Sequence, residues 1–280
     1  MAQQLNNIGK LCSDPIFISM IYNIVKYSIE YGTEHGIENV KIPFNTVTVI
    51  GGAAFMLYAY EINQRNINTM YDSLLEHHVP LTTDIDIAVW YDNIIYDFGE
   101  TNQKLEVFLR ELLKNEQLIK SLQERITLHF GEIQSCRAYV LPARTHRNMT
   151  TTIKIHIVIN DRDFHVADIA IKNPIYSQPL LNERQRFNKN VLENATYTNK
   201  DNTMLLRINE RDVVRVPTHK KFIEQQELAH DQVTLRTPKN LMKYISRINY
   251  LLKHTRPYAK GGRTKKNKRS KRSKTRRSIR

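Results

Sequence analysis

Two acids spaced one residue apart are the first candidates for chemistry. In Thr82-Thr83-Asp84-Ile85-Asp86-Ile87-Ala88-Val89-Trp90, polar and apolar residues alternate, the period of a strand with one buried face. Asp84 and Asp86 then share a face, while Ile85, Ile87 and Val89 turn to the core. Neighbouring carboxylates on a core strand repel each other and lose hydration; a cation between them relieves both costs. Oxygen donors completed by substrate phosphates suit Mg²⁺, or Mn²⁺ in its place. A two-metal version holds ions ~3.5–4 Å apart and clamps the entering and leaving oxygens of a phosphoryl displacement. Phe164-His165-Val166-Ala167-Asp168-Ile169-Ala170-Ile171 supplies a third carboxylate, Asp168, alone in an apolar β run. Strand alternation puts Phe164, Val166 and Ala170 on its face. Asp161 and Asp163 compete with it, but Asn160-Asp161-Arg162-Asp163 reads as a hairpin turn, where acids serve turn chemistry. The plain alternative is an acidic strand that faces solvent by coincidence, and Ala88 and Trp90 on the acid face weigh against it.

Upstream, Val47-Thr48-Val49-Ile50-Gly51-Gly52-Ala53-Ala54 reads as a strand, a glycine pair and a helix start. Glycines allow close backbone approach, and a helix N-terminus offers free N–H groups and positive dipole to phosphates. With Gly51-Gly52, Asp84-Ile85-Asp86 and Asp168 in this order, the chain resembles the DNA polymerase beta-like nucleotidyltransferase superfamily over roughly residues 40–175. The Thr-Thr-Asp-Ile-Asp form and the long Gly-to-Asp interval look most like the poly(A) polymerase catalytic subunits of large DNA viruses, as does the lysine-rich, serine-punctuated C-terminus. The resemblance implies a palm-like catalytic domain with Asp84 and Asp86 on both metals. Asp168 would bind the catalytic metal and activate the attacking hydroxyl, and Gly51 and Gly52 would lie on the nucleotide phosphates. The substrate would be an NTP, ATP in the polyadenylating case, and the acceptor an RNA 3′ end. The interval from Gly52 to Asp84 is long for the superfamily's short members, so an insertion must loop out. No residue for base selection is assigned.

Other candidates have plainer readings. His156 and His165, on facing hairpin strands, are expected to be ordinary strand residues. His77-His78 falls in a polar stretch and is expected to be solvated. Tyr244 and Tyr250 lie on a C-terminal helix, where packing or exposure competes with stacking on a base.

The elements that must position these residues follow from period and punctuation. Asp14-Pro15 is an N-cap with proline at the first helical position, followed by Ile18, Ile21, Tyr22, Val25 and Ile29 at helical spacing. Gly32 or Gly36 can end that helix. Thr46–Ile50 is a β-branched strand and Ala53–Ile62 a helix. Residues 63–81 read as a loop, or a short helix around Met70–Leu75. Glu100–Glu124 is expected to be helical and Arg125–Leu141 strand-rich. Thr151–Ile159 and Phe164–Ile171 are strong strands. Asn173-Pro174 and Gln178-Pro179 break the pattern, and 182–212 is polar with weak periodicity. Thr218–His230 and Pro238–Lys253 read as helices, the second with Leu241, Tyr244, Ile245, Ile248 and Leu251 as its apolar face. The fold class is α/β (α+β): a small mixed-sheet catalytic domain at 1–175, a mainly helical region at 176–259, and a disordered basic tail at 260–280.

The formal charge of +14 belongs to that tail. Residues 260–280 hold twelve Lys and Arg and no acid, which leaves +2 for residues 1–259. Such a tract cannot make a core but attracts phosphate strongly, so RNA or DNA contact, or nuclear import, is expected of it. Cys12 and Cys136 are isolated and have no zinc spacing, consistent with free thiols in a reducing compartment. There is no signal-peptide pattern and no run of the ~20 apolar residues that span a bilayer, so an intracellular protein, cytoplasmic or nuclear, is expected. The function read from these residues is NMP transfer from an NTP to a hydroxyl with pyrophosphate release. Transfer to a protein or small molecule, and a catalytically silent nucleic-acid-binding module, are the alternatives.

Overall fold

The computed structural model describes residues 2–34, 44–91, 98–145, 151–172, 202–233 and 238–255. The tail at 260–280, the breakers at 173–179 and the first two-thirds of the polar stretch 182–212 lie outside them.

Asp14 caps a helix as its position before a proline suggests. One carboxylate oxygen accepts the amides of Ile16 at 2.9 Å and Phe17 at 3.3 Å, and Pro15, which has no amide to satisfy, opens α2 (Pro15–Glu34). Gly32 lies inside this helix and does not end it. A helix without a strong sequence signal, α1 (Ala2–Cys12), precedes it. β1 (Phe44–Ile50) runs without a loop into α3 (Gly51–Ile62). The stretch read mainly as loop contains a full helix, α4 (Ile67–Glu76), because Asn66 caps it by accepting from the Asn68 and Thr69 amides. β2 follows (Ile85–Tyr91), with Asp84 on the bend just before it.

The single helix expected at 100–124 is two: α5 (Phe98–Leu112) and α6 (Glu116–Phe130). Asn115 accepts the Leu118 amide and restarts the helix. α6 then continues through residues expected to be extended, because Leu122 and Ile126, one turn apart, are both buried and Gly131, at φ +77°, ends it. Next come β3 (Cys136–Thr145), β4 (Thr151–Ile159) and β5 (Arg162–Lys172). The β4–β5 turn is only Asn160-Asp161, both at positive φ (46° and 63°), as a two-residue hairpin of this type requires. Asp163 therefore belongs to the strand and not, as its spacing suggested, to the turn. The described part of the polar stretch holds β6 (Thr203–Arg207), which forms a second hairpin with β7 (Val213–Pro217) just beyond it. Its loop is tied by Asn209, which accepts the Arg211 and Asp212 amides at 2.8 Å each. The chain continues in α7 (His219–Val233) and α8 (Pro238–Thr255).

The main sheet has five strands in the order β1-β2-β5-β4-β3. Only β2 and β5 are parallel, and the other pairs are antiparallel. With eight helices among the described residues, the class is α+β with a mixed sheet. One apolar core gathers Ile85, Ile87 and Val89 of β2, Ile153, Ile155 and Ile157 of β4, and Ala167, Ile169 and Ile171 of β5 with α2, α3 and α8. Each of these isoleucines contributes ~1.5–3 kcal/mol by full burial. α3 is the hub. Its Phe55 ring packs against Phe222 of α7 at 6.3 Å and Tyr250 of α8 at 5.6 Å, and its Tyr58 hydroxyl donates to the Pro217 carbonyl. α8 is thereby held beside the start of α3. Among the described residues no single helix is long and apolar enough to cross a membrane.

Candidate functional site

Two of the three expected acids, Asp84 and Asp168, converge with His165 where β2 and β5 run side by side, and the Asp86 carboxylate is not part of that group. Asp86 and Asp168 are register partners across this parallel pair, so their Cα atoms sit on strands ~4.8 Å apart. Asp84 reaches the same place from the bend before β2. One ligand atom each of Asp84, Asp168 and His165 lie within 4.8 Å of one another. Buried threonine chemistry shapes the bend. The Thr82 hydroxyl donates to the Asp84 carbonyl at 2.9 Å, and the Thr82 amide donates to the Ser13 hydroxyl, also at 2.9 Å. The turn between α1 and α2 thus anchors the segment that aims Asp84.

The glycine pair closes against the acids. Gly51, the first residue of α3, has φ +60°, where a side chain is strained, and a Cβ there would lie 2.6 Å from Asp86 Oδ2. A Cβ on Gly52 would meet Thr82 Oγ1 at 2.4 Å and Arg247 Nη2 at 2.9 Å. Both glycines are thus required by the protein's own packing, whatever ligand approaches. No side chain caps the N-terminus of α3.

Arg247, on α8, is the residue that sequence reasoning passed over. It is 4% exposed, and its Nε is buried without a hydrogen-bond partner. Burial pulls its pKa down to about 10, against the opposing pull of Tyr244, Asp86 and Asp84. Its guanidinium carbon lies 5.7 Å from the Phe55 ring centre. A signal existed: Arg247 is three residues after Tyr244 and four before Leu251, a charge at the margin of an apolar helical stripe.

His165 was expected to be an ordinary strand residue. A β-bulge changes that. Ile155 pairs with Ala167, but His156 pairs with His165, so Val166 is an extra residue in β5 and the alternation reverses across it. Phe164 becomes the partner of core-facing Ile157, and Asp168 does not share its face as period 2 implied. Val166 is fully buried. His165 instead joins Asp168, with Nε2 3.2 Å from Asp168 Oδ1 and 3.1 Å from the Ala167 carbonyl. Lys154, the β4 partner of Asp168, places Nζ 3.4 Å from the same oxygen. Burial pushes the Asp168 carboxyl up, but His165 and Lys154 hold it below the usual carboxylate range. The hydrogen bond to Asp168 raises the His165 pKa against the effect of burial.

The other candidates separate. Asp163 accepts from the Tyr139 hydroxyl at 2.7 Å and from His156 Nδ1 at 3.0 Å, so it organises the neighbouring histidine rather than joining the acids. Asp161 is an exposed turn residue. Tyr250 is buried, with its hydroxyl taken by Asn63 at 2.8 Å and Ser73 at 2.9 Å; it packs and is closed to a base. His77 is not simply solvated, since its ring meets Tyr250 at 5.3 Å and Lys253 Nζ lies 2.6 Å from its Nε2. The chain matches no protein-family model and no curated protein.

The donors fit a divalent cation. Ligands ~2.1 Å from one ion lie at most ~4.2 Å apart, so separations within 4.8 Å need only small side-chain adjustments.

Proposed function

We propose that the chain is a metal-dependent nucleotidyltransferase of the palm-like kind, extending an RNA 3′ end as poly(A) polymerases do. The observation that carries this reading is the register. Asp86 and Asp168 are register partners on parallel strands, and the Asp84 carboxylate converges on that of Asp168, with the N-terminus of α3 and a buried cation, Arg247, beside Asp86. A phosphoryl-transfer site needs carboxylates gathered in this way.

In this reading Asp84, Asp86 and Asp168 hold one or two ions of Mg²⁺ or Mn²⁺. Bound there, these ions neutralise charge on the phosphates and lower the cost of the attacking oxyanion. Asp168 would take the proton of the acceptor hydroxyl. The hydroxyl oxygen bonds to the α-phosphorus of the NTP, the bond to the bridging oxygen breaks, and pyrophosphate leaves. Arg247 and the start of α3 would donate to the triphosphate, whose oxygens would give Arg247 Nε the acceptor it lacks. Residues 260–280 supply sequence-independent contact to the RNA backbone.

Incubating the chain with labelled NTPs, Mg²⁺ or Mn²⁺ and an RNA primer tests this. Primer extension is the expected result. Label on a protein or small molecule would redirect the acceptor, and RNA binding without any transfer would leave a silent module of the same fold.

A further inference from the structure

The donor set is not the all-oxygen set that three aspartates would make. The bulge at Val166 brings an imidazole to the same point, and bulges beside active sites characteristically re-aim one side chain. His165 Nε2, an Asp84 oxygen and an Asp168 oxygen lie mutually within 4.8 Å. The plain reading is that His165 and Lys154 are counter-charges for Asp168. Lys154 already supplies a flexible, half-exposed counter-charge 3.4 Å away, so the irregular strand is not needed for that. A bulge that aims a second, less basic donor at the junction of two carboxylates is better suited to ligation.

We propose that His165 is the nitrogen donor of a mixed Asp84–His165–Asp168 site, and that this site selects Mn²⁺ over Mg²⁺. The inference rests on the reading of these acids as a metal centre. Imidazole is a poor ligand for Mg²⁺, which demands oxygen and gives up water reluctantly. Carboxylates with open positions are poor selectors for the softer ions, which favour nitrogen and sulfur. Mn²⁺ accepts both donor types in octahedral coordination. On coordination, Nε2 gives up the contacts it makes to Ala167 and Asp168 and loses any proton it carries. Lys154, on its long side chain, swings away.

The test is direct binding of Mn²⁺ to the metal-stripped full-length chain, with no turnover involved. Loss of the free Mn²⁺ paramagnetic signal gives affinity, and pulsed electron paramagnetic resonance detects a directly bonded ¹⁴N. Wild type should show nitrogen coupling that changes frequency when histidine is labelled with ¹⁵N, and Mg²⁺ should compete only in large excess. His165→Gln should abolish the nitrogen coupling, weaken Mn²⁺ on the order of 10- to 100-fold and leave Mg²⁺ affinity nearly unchanged. His156→Gln should keep the coupling. The labelled wild type alone decides the matter should a variant misfold. Tight Mn²⁺ without nitrogen coupling overturns the role of His165 and spares the metal-dependent transferase. Nitrogen coupling that persists in His165→Gln also overturns it. Absence of Mn²⁺ binding overturns the mixed site, and absence of both Mn²⁺ and Mg²⁺ binding removes the metal-dependent transferase as well.

Discussion

Arg247 changes what is expected of the acids. Taken alone, two like-charged side chains should relax when one is removed, so Asp86→Asn would stabilise the protein without metal. The structure puts a buried guanidinium in the field of Asp84 and Asp86, and loss of one acid leaves that cation less compensated. Asp86→Asn should therefore abolish transfer and also lower stability. Arg247→Met in the same chain should restore stability, with a coupling of about 1–3 kcal/mol in a double-mutant cycle read by urea denaturation. Strict additivity would show that Arg247 and Asp86 do not sense each other. Gly51 makes a second case. At φ +60°, alanine costs ~1–2 kcal/mol from the backbone alone, and its Cβ would press on Asp86 Oδ2. Gly51→Ala should show that loss in a thermal melt together with a fall in turnover of at least about tenfold, since a 1.4 kcal/mol misplacement of the carboxylate suffices. Normal turnover would mean that Asp86 is free to move without consequence. These acids were legible in sequence because period 2 is local. His165 and Arg247 were not, because each arrives through a non-local event: an extra residue in β5, and the docking of α8 on α3.

At the scale of elements, Asp14 joins two helices. It is fully buried, caps α2, and receives Arg125 Nη2 at 2.5 and 2.6 Å and His129 Nε2 at 2.6 Å from one face of α6. Burial pushes its carboxyl up, but the bonds from His129 and Arg125 win and hold the pKa below the ordinary value of 3.8. A depressed carboxyl contributes stability above its unfolded pKa, and the contribution fades as pH falls through the folded value. Asp14→Asn should then be less stable than wild type by about 3 kcal/mol at pH 7, as one member of a buried pair is lost. The gap between the two urea midpoints should narrow below about pH 4. An equal gap at pH 7 and pH 3 would mean that charge is not what Asp14 contributes. This element was half legible: Asp14-Pro15 announced the cap, but nothing in sequence tied it to residues 125 and 129, which looked extended. Regular strands were read closely, and Thr151–Ile159 coincides with β4, because β-branched runs carry their own period. The β6–β7 hairpin was missed because its strands have only five residues each and their short apolar runs, Met204-Leu205-Leu206 and Val213-Val214, leave Leu205 and Val213 on the surface, too little to set a period.

For the whole molecule the decisive quantity is where the charge lies. Two near-balanced sets of ions make residues 1–259 almost neutral at +2, and the twelve positive charges that remain are packed into 21 residues. The site itself carries three acids, so a polyanionic acceptor gains little from long-range attraction to it. On the proposed reading, an RNA strand would be recruited by another surface, and the basic tract is suited to that. Counterion release makes the prediction quantitative. Each phosphate neutralised on a single strand contributes about −0.7 to the slope of log K against log salt. If half of the tract's charges engage, truncation before Lys260 should flatten that slope by roughly 4 and weaken RNA binding most at low salt. Chemistry should persist, because no acid of the site is removed: at saturating primer, turnover of the truncated chain should stay within about twofold, so that nearly all the loss falls on KM. Affinity titrations at several salt concentrations, paired with primer extension by both chains, separate the two effects. An unchanged slope would assign the tract to something other than RNA, and a collapse of turnover at saturation would place it inside the catalytic arrangement rather than beside it.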